Sequence, residues 1–298
     1  MNRLRELLIG AGVRVKTEYP LSRHSSFRIG GRASLAVFPE TEEQMLSALR
    51  ILTENGVRFA VIGNASNVVF DDGGYSGALV FTTSWRELTL SGCQMRVSAG
   101  VSLLTVASTA RDASLTGAEF AYGIPGSVGG AIYMNAGAYG GCMADICQSS
   151  LAFDLWSRET LTLCGEEQRL GYRTSVYETD DRYVILGAEL ILRTGDREEI
   201  SARMNDYLSR RRRTQPLEYP NAGSVFKRPE GYFAGKLIED CGLKGVSVGG
   251  AQVSEKHAGF IVNRGGATSS DVRRLVELIC DRVLCETGVT LECEIKFL

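Results

Sequence analysis

The sequence has little of what marks membrane or nucleic-acid-binding proteins. No stretch of its 298 residues stays apolar for the roughly 18 positions that a transmembrane helix needs. The formal net charge is −2, which gives no reason to expect a nucleic acid or an anionic membrane as a partner. The first residues, "MNRLRELLIGAGVRV", lack the apolar core of a signal peptide. We therefore expect neither a nucleic-acid partner nor a membrane partner.

Histidine is scarce, and the cysteines are not arranged for metal binding. The chain has only two histidines, and its eight cysteines include no Cys-x-x-Cys pair. The closest cysteine pairs, each separated by four residues, do not have the spacing of a zinc site. We therefore expect no metal, and we interpret the cysteines as free thiols of a cytoplasmic protein.

Three common ligand-binding or catalytic signatures are also missing. There is no Gly-x-Gly-x-x-Gly, so the dinucleotide fingerprint is absent. The segment "GYFAGKL" has three residues between its glycines and leucine where a P-loop has serine or threonine. "PGSVG" has proline in place of the first glycine of a hydrolase nucleophile elbow. A Rossmann enzyme, a P-loop nucleotide hydrolase and an α/β-hydrolase are therefore disfavoured.

Hydrophobic periodicity predicts an α+β protein. Strands are expected at "LAVFPE", "RFAVIG", "YVILGAELILRT", "AGFIVN" and, as the last one, "TLECEIKFL". Helices are predicted over Thr41–Gly56, Ser102–Gly117, Arg197–Gln215 and Ser269–Thr287. Thr41 is expected to cap its helix. Strands dominate before a boundary placed between Thr194 and Gln215, and a mixed unit follows.

Two segments combine glycine with small polar residues: "VIGNASN" (Val61–Asn67) and "GIPGSVGGAIYMNAGA" (Gly123–Ala138). Glycine permits positive φ and close approach of a ligand to the backbone. Successive N–H groups in such turns bind anions. Simple tight turns would explain one segment, whereas two favour a phosphate-containing cofactor. The side chains that could add hydrogen bonds are Ser66, Asn67, Ser127 and Asn135.

Several polar residues outside these segments are candidates for chemistry. Arg173 lies between tyrosines in "YRTSVY", and Ser224 follows the turn "PNAG". Glu292 and Glu294 are expected on one face of the last strand, because side chains on a strand repeat every two residues. Each has a structural alternative. Arg173 could stack on tyrosine at the surface, Ser224 could be a turn residue, and the glutamates could face solvent.

Six motifs in order carry a resemblance to a known family: "SSFRIGG", "VIGNASNVVF", "GIPGSVGGAIYMNAGAYG", "YRTSVYE", "PNAGSVFK" and "EKHAGFIVN". From about Ser25 to Glu294 the chain resembles the UDP-N-acetylenolpyruvoylglucosamine reductases. Only Glu178–Tyr183 separate "YRTSVY" from the next strand, which resembles the short, type II form. The resemblance implies a two-lobed FAD-binding domain of the vanillyl-alcohol-oxidase type over residues 1–195, with lobes of about 1–83 and 84–195. It also implies a C-terminal α/β substrate-binding domain over residues 196–298.

The resemblance implies an NADPH-dependent flavoenzyme of peptidoglycan precursor synthesis. Such an enzyme reduces UDP-N-acetylglucosamine enolpyruvate to UDP-N-acetylmuramate, with hydride passing from FAD N5 to C3. By resemblance, Ser224 gives the proton to C2, while Arg173 and Glu294 stabilise the enolate. Arg173, Lys227 and His257 are implied as substrate ligands. FAD is expected to bind non-covalently, because neither segment contains histidine. The implied cofactor-binding residues are Gly63, Asn64, Ala65, Ser66, Asn67, Gly123, Pro125, Gly126, Ser127, Gly129, Gly130, Asn135, Ala136 and Gly137.

Some positions depart from the family pattern. "GNASN" is less rich in glycine than is usual, and Arg228 and Gly259 stand where asparagine is common. An FAD-dependent sugar or alcohol oxidase or dehydrogenase of the same fold is the first alternative. A non-catalytic UDP-sugar-binding protein is the second.

Overall fold

A computed structural model describes the whole chain, from Met1 to Leu298. The chain forms two compact units, each discontinuous in sequence. Unit 1 comprises Met1–Thr17, Leu35–Asn64 and Gly77–Arg210, and unit 2 comprises Glu18–Ser34, Ala65–Ser76 and Arg211–Leu298. The division into an FAD-binding domain up to residue 195 and a substrate-binding domain after it stays a prediction.

Eight helices and nineteen strands make up the two units. The helices are α1 (Asn2–Gly10), α2 (Glu42–Glu54), α3 (Leu103–Asp112), α4 (Val128–Tyr133), α5 (Val176–Thr179), α6 (Arg197–Thr214), α7 (Ala234–Asp240) and α8 (Ser269–Thr287). The first ten strands are β1 (Arg14–Pro20), β2 (Arg32–Phe38), β3 (Phe59–Ile62), β4 (Val68–Val69), β5 (Tyr75–Phe81), β6 (Leu88–Ser91), β7 (Gln94–Ser98), β8 (Leu115–Thr116), β9 (Gly137–Ala138) and β10 (Gly141–Cys142). The others are β11 (Cys147–Asp154), β12 (Thr160–Cys164), β13 (Tyr183–Ile191), β14 (Arg193–Thr194), β15 (Asn221–Ser224), β16 (Ser247–Val248), β17 (Ala251–Val253), β18 (Phe260–Asn263) and β19 (Lys296–Phe297).

Unit 1 is built around an antiparallel sheet of order β12-β11-β13-β7-β6. One buried apolar cluster joins this sheet to α3 and α4. Another contains residues of α1, α2, β2 and β5 together with Phe153 and Leu186 of the antiparallel sheet. The strand β3 pairs in parallel with β5 and ends at Ile62, immediately before the first glycine-rich segment turns away.

Within unit 1, a partly buried ion pair connects helix α6 to Glu119. Arg203 Nη2 lies 2.8 Å from Glu119 Oε1, and Thr116 Oγ1 donates to the same oxygen at 2.6 Å. Burial opposes ionisation of Glu119, but the hydrogen bonds from Thr116, Arg203 and the Gly117 amide outweigh it and lower its pKa. Glu119 lies four positions before Gly123, so the ion pair links α6 to the chain that leads into the longer glycine-rich segment.

Unit 2 contains an antiparallel sheet of order β15-β18-β17-β16. Its apolar core includes residues of α7, α8, β15 and β18, together with Phe27, Ile29 and Val69. The last strand, β19, pairs in parallel with β4. The chain end is thereby tied to the residues that follow the first glycine-rich segment.

The α+β class and the positions of the long helices agree with the sequence prediction. Thr41 caps α2 by accepting a hydrogen bond from the Gln44 amide at 3.3 Å. The predicted last strand over Thr290–Leu298 is wrong in its first part, where only Cys293 forms a bridge, to Phe226. No helix combines the length and the apolarity that crossing a membrane requires. All eight cysteines are free thiols.

Candidate active site

The longer glycine-rich segment, residues 123–138, surrounds the short helix α4 of unit 1. Ser127 caps this helix by accepting a hydrogen bond from the Gly130 amide at 3.4 Å. The Gly129 amide donates to the Ala99 carbonyl at 2.9 Å, and a Cβ on Gly129 would lie 2.9 Å from the Ala99 Cβ. Glycine is therefore required where α4 passes closest to the end of β7.

The two glycine-rich segments meet inside unit 1. A Cβ on Gly63 would lie 2.1 Å from Ser127 Oγ, a distance that no side chain tolerates. Asn64 Nδ2 donates to the Pro125 carbonyl at 3.2 Å. The residue after β3 and the residue that caps α4 therefore face each other at close range, as glycine at position 63 permits.

This arrangement fits FAD. Residues 61–67 and 123–138 contain no charged side chain, so no carboxylate repels a diphosphate. Where the segments meet in unit 1, residue 63 has no Cβ and Ser127 stands at a helix start. Such backbone presents small polar groups and no bulky side chain to a phosphate-containing ligand. Gly63, Asn64 and Ser127 are the residues of unit 1 that would hold the cofactor at this point.

Arg173 is attached to the longer segment. Its Nη2 donates to the Gly137 carbonyl at 3.2 Å and its Nη1 to the Asn135 carbonyl at 3.5 Å. The guanidinium also lies over the ring of Tyr172, 5.2 Å from its centroid. In unit 1, a residue predicted to be catalytic is thus hydrogen-bonded to two residues predicted to bind FAD.

Ser224 and Glu294 lie on neighbouring segments of unit 2. Phe226 is bridged to Cys293, and the Glu294 amide donates to the Val225 carbonyl at 2.7 Å. Glu294 is only 9% exposed. Ser224 Oγ donates to the Phe226 carbonyl at 3.3 Å, a bond that rotation of the hydroxyl can exchange for one to a ligand. Antiparallel pairing therefore brings together two predicted catalytic residues that are far apart in sequence.

The second part of the first glycine-rich segment, Ala65–Asn67, belongs to unit 2 and adjoins these residues. Asn67 Nδ2 donates to the Glu294 carbonyl at 3.3 Å. Ser26 Oγ donates to the carbonyls of Asn221 at 2.7 Å and of Ala65 at 3.2 Å. Ser26 was not among the predicted site residues, although it lies in the quoted motif "SSFRIGG". That motif was the available signal for its role in joining the segment to β15.

Lys227 forms an ion pair with Glu292, Nζ to Oε1 at 2.6 Å. The Glu292 side chain is 70% exposed, whereas Glu294 is buried. The two carboxylates thus differ in burial, and the expectation that they share one face stays a prediction. The structure thus distinguishes Glu294 from Glu292, which contacts a predicted substrate ligand.

His257 is packed against glycines in unit 2. Its Nδ1 accepts a hydrogen bond from the Gly259 amide at 3.1 Å, and a Cβ on Gly235 would lie 3.1 Å from its Cε1. Burial lowers the pKa of His257. The imidazole is therefore neutral at pH 7, with its proton on Nε2. It is suited to donate one hydrogen bond rather than to offer a positive charge.

Comparison with known proteins identifies an FAD-binding region and a C-terminal domain of a known reductase family. Residues 33–159 match the family model described as FAD binding domain. Residues 215–298 match the C-terminal domain of UDP-N-acetylenolpyruvoylglucosamine reductase. The enzyme of that name from Geobacillus kaustophilus is 46% identical over 95% of this chain and 93% of its own length. The chain belongs to the UDP-N-acetylenolpyruvoylglucosamine reductase family. It is accordingly an FAD-containing oxidoreductase.

Other reductases of the family give the same picture. The reductase of Caldicellulosiruptor bescii is 43% identical over 98% of this chain and 93% of its own length. The crystal structure of the Thermus caldophilus reductase superposes with a TM-score of 0.80 at 33% identity, covering 96% of this chain and 98% of that one. A berberine bridge enzyme variant superposes with a TM-score of 0.52 at 14% identity, covering 65% of this chain and 44% of that one, which shows the fold alone. The reductase prediction is thus favoured over an oxidase of the same fold.

Proposed function

We propose that this protein reduces the enolpyruvyl group of UDP-N-acetylglucosamine enolpyruvate to give UDP-N-acetylmuramate, with NADPH as the hydride donor. One observation carries the proposal beyond family membership. In each unit, a glycine-rich segment suited to FAD is hydrogen-bonded to a residue of the candidate catalytic set: Arg173 in unit 1 and Glu294 in unit 2. Its partners are then small molecules, and eight free thiols support a cytoplasmic location.

The chemistry needs one hydride at C3 and one proton at C2. Bound FAD would supply the redox chemistry, carrying the hydride of NADPH to C3. Ser224 holds the proton at Oγ and transfers it to C2, where negative charge develops. A hydroxyl is a weak acid, but the carbanion is a far stronger base, so proton transfer is favourable.

Arg173 and Glu294 have complementary tasks in this proposal. The Arg173 guanidinium binds the substrate carboxylate and offsets the charge that spreads onto it as C2 gains electrons. Glu294, which is buried, stabilises the enolate together with Arg173. Lys227 and His257 bind the substrate, the first with its charge and the second with its Nε2–H.

The decisive experiment is direct. Purified protein is incubated with NADPH and the enolpyruvyl UDP-sugar while flavin absorbance and product mass are followed. The proposal expects flavin bleaching by NADPH alone, recovery of oxidised flavin on addition of the sugar, and a product heavier by two hydrogens. A protein that is reduced by NADPH but not reoxidised by this sugar in the absence of oxygen would contradict it.

A further inference from the structure

Arg173 lies in a tight turn with a backbone conformation that arginine rarely adopts. Its φ is +54°, in the left-handed region that side chains with a Cβ disfavour. The turn is closed by the Gly171 amide, which donates to the Thr174 carbonyl at 3.1 Å. Because this conformation is unfavourable for arginine, contacts from outside the turn must hold it.

Asn135 supplies contacts of this kind at two points of the turn. Its Nδ2 donates to the Gly171 carbonyl at 2.8 Å, and its own carbonyl accepts from Arg173 Nη1 at 3.5 Å. Its Oδ1 accepts a hydrogen bond from the Ala144 amide at 2.9 Å. Asn135 is 6% exposed and has a φ of +43°, which asparagine tolerates better than most residues. One buried residue therefore fixes both the backbone of the turn and the guanidinium.

The residues that follow the turn are also held by hydrogen bonds. Ser175 Oγ donates to the Tyr133 carbonyl at 2.6 Å. Tyr177 OH lies 2.7 Å from Ser150 Oγ within a buried network. With both sides fixed, removal of the Asn135 amide leaves the turn attached but frees its first residue to move. The consequence is a local loss of Arg173 placement rather than a general unfolding of the region.

We infer that Asn135 is a positioning residue that orients Arg173 for the substrate carboxylate, in addition to any contact it makes with FAD. The inference rests on the role proposed above for Arg173. It differs from the sequence prediction, which assigned Asn135 to the cofactor alone. The side chain uses its acceptor and one of its two donor hydrogens on protein backbone.

The test compares binding of two ligands to Asn135→Gly. Glycine keeps the positive φ and removes both side-chain bonds. We expect affinity for UDP-N-acetylmuramate, measured by calorimetry on the oxidised holoenzyme, to fall about tenfold, the loss typical of a weakened charge-assisted pair. Affinity for UDP-N-acetylglucosamine, which lacks the carboxylate, should stay unchanged. Asn55→Gly is the matched control, because Asn55 Nδ2 also donates to a carbonyl, that of Ile51, at 2.8 Å.

A double-mutant comparison separates positioning from general damage. Asn135→Gly should slow oxidation of the reduced enzyme by the enolpyruvyl sugar about tenfold in the native background and not at all in Arg173→Ala. The rate of reduction by NADPH, measured in the same variants, reports separately on any change at the FAD site. If Asn135→Gly fails to fold, Asn135→Asp decides, since it keeps the acceptor for the Ala144 amide and loses the donor to Gly171.

The possible failures are distinguishable. The positioning role would be overturned if the affinities for both UDP-sugars fell equally, if the effects of the two substitutions were additive, or if the variant lost only FAD. Each of these results would leave the proposed reaction intact. Normal turnover in Arg173→Ala would remove the role of Arg173 and the inference with it. Absence of any turnover by the native protein would instead refute the proposed function.

Discussion

The two units hold their candidate catalytic residues by different means. In unit 1, Arg173 lies in a tight turn with a left-handed φ, and hydrogen bonds from the buried side chains of Asn135 and Ser175 fix this turn. In unit 2, Ser224 and Glu294 are placed by backbone pairing between extended segments. Side-chain bonds can be lost through one substitution, whereas backbone pairing survives most of them. The geometry around Arg173 is therefore the more sensitive to mutation at neighbouring positions.

Removal of the Ser224 hydroxyl is expected to have the largest effect. Ser224→Ala should slow oxidation of the reduced enzyme by the enolpyruvyl sugar about 10²–10⁴-fold, the range for loss of a general acid. Reduction by NADPH needs no proton from Ser224 and should be nearly unchanged. Stopped-flow absorbance of the flavin measures both steps. Because backbone pairing places residue 224, the alanine variant should keep its fold.

A second substitution at Ser224 tests whether a side-chain proton is what the reaction needs. Ser224→Cys retains a proton on the side chain and should recover part of the lost rate. Normal oxidation in Ser224→Ala would remove this residue from the mechanism.

Substitution of Arg173 is expected to have the second largest effect on the rate of this oxidation. Arg173→Ala is expected to reduce the same oxidation rate about 10²–10³-fold, as does loss of a group that stabilises developing charge. Arg173→Lys should recover little, because an ammonium group cannot reach two carbonyls and a carboxylate with the planar fork of a guanidinium. The comparison of kcat with KM for the sugar provides the measurement. Full activity in the lysine variant would show that positive charge alone is sufficient.

Gly63→Ala should cause a moderate loss of stability and of FAD. The added Cβ would lie 2.1 Å from Ser127 Oγ and 3.2 Å from its Cβ, and overpacking of this kind costs about 1–3 kcal/mol. Thermal unfolding and the flavin content of the purified protein are the measurements. Gly10→Ala is the control, since a Cβ there meets nothing within 4 Å. Partial recovery in Gly63→Ala with Ser127→Ala would confirm the contact, and a neutral single substitution would contradict it.

The smallest effect on stability is expected at His257, in the pH dependence of the free energy of unfolding. Burial lowers its pKa below 6.5, so the unfolded chain takes up a proton that the folded protein resists. Its contribution is present above pH 6.5 and is lost as the pH falls through 6.5 toward the folded pKa. His257→Asn keeps an acceptor for the Gly259 amide and should flatten this decline in urea unfolding. An unchanged pH dependence would show that the buried imidazole does not resist protonation.

Local sequence patterns were sufficient to predict the main helices and strands, but not to predict which segments belong to which unit. Helix caps such as Thr41 and runs of alternating residues predict helices and strands because those signals are local. The assignment of Glu18–Ser34 and Ala65–Ser76 to unit 2 depends on long-range contacts that no short window contains. The first part of the predicted last strand failed for the same reason, since the bridge partner of Cys293 is Phe226, far away in sequence.

The candidate site shows the same limit. Composition predicted a phosphate-containing cofactor at the two glycine-rich segments, and the family resemblance specified FAD; its placement there stays a prediction. The role of Ser26, the pairing of Lys227 with Glu292 and the hold of Asn135 on the Arg173 turn all join residues distant in the chain. No spacing rule reveals such contacts, and resemblance to a family carries over only the residues of its motifs.

The most direct test of the account is the rate at which the enolpyruvyl sugar oxidises the reduced enzyme in Ser224→Ala, Arg173→Ala and their combination. If Ser224 and Arg173 serve one step, the double variant should be scarcely slower than the worse single variant, because groups that act in the same step are strongly non-additive. If the two losses instead multiply, Ser224 and Arg173 act independently. That result would contradict their proposed roles in one step, in which Ser224 protonates C2 and Arg173 offsets the charge that develops there.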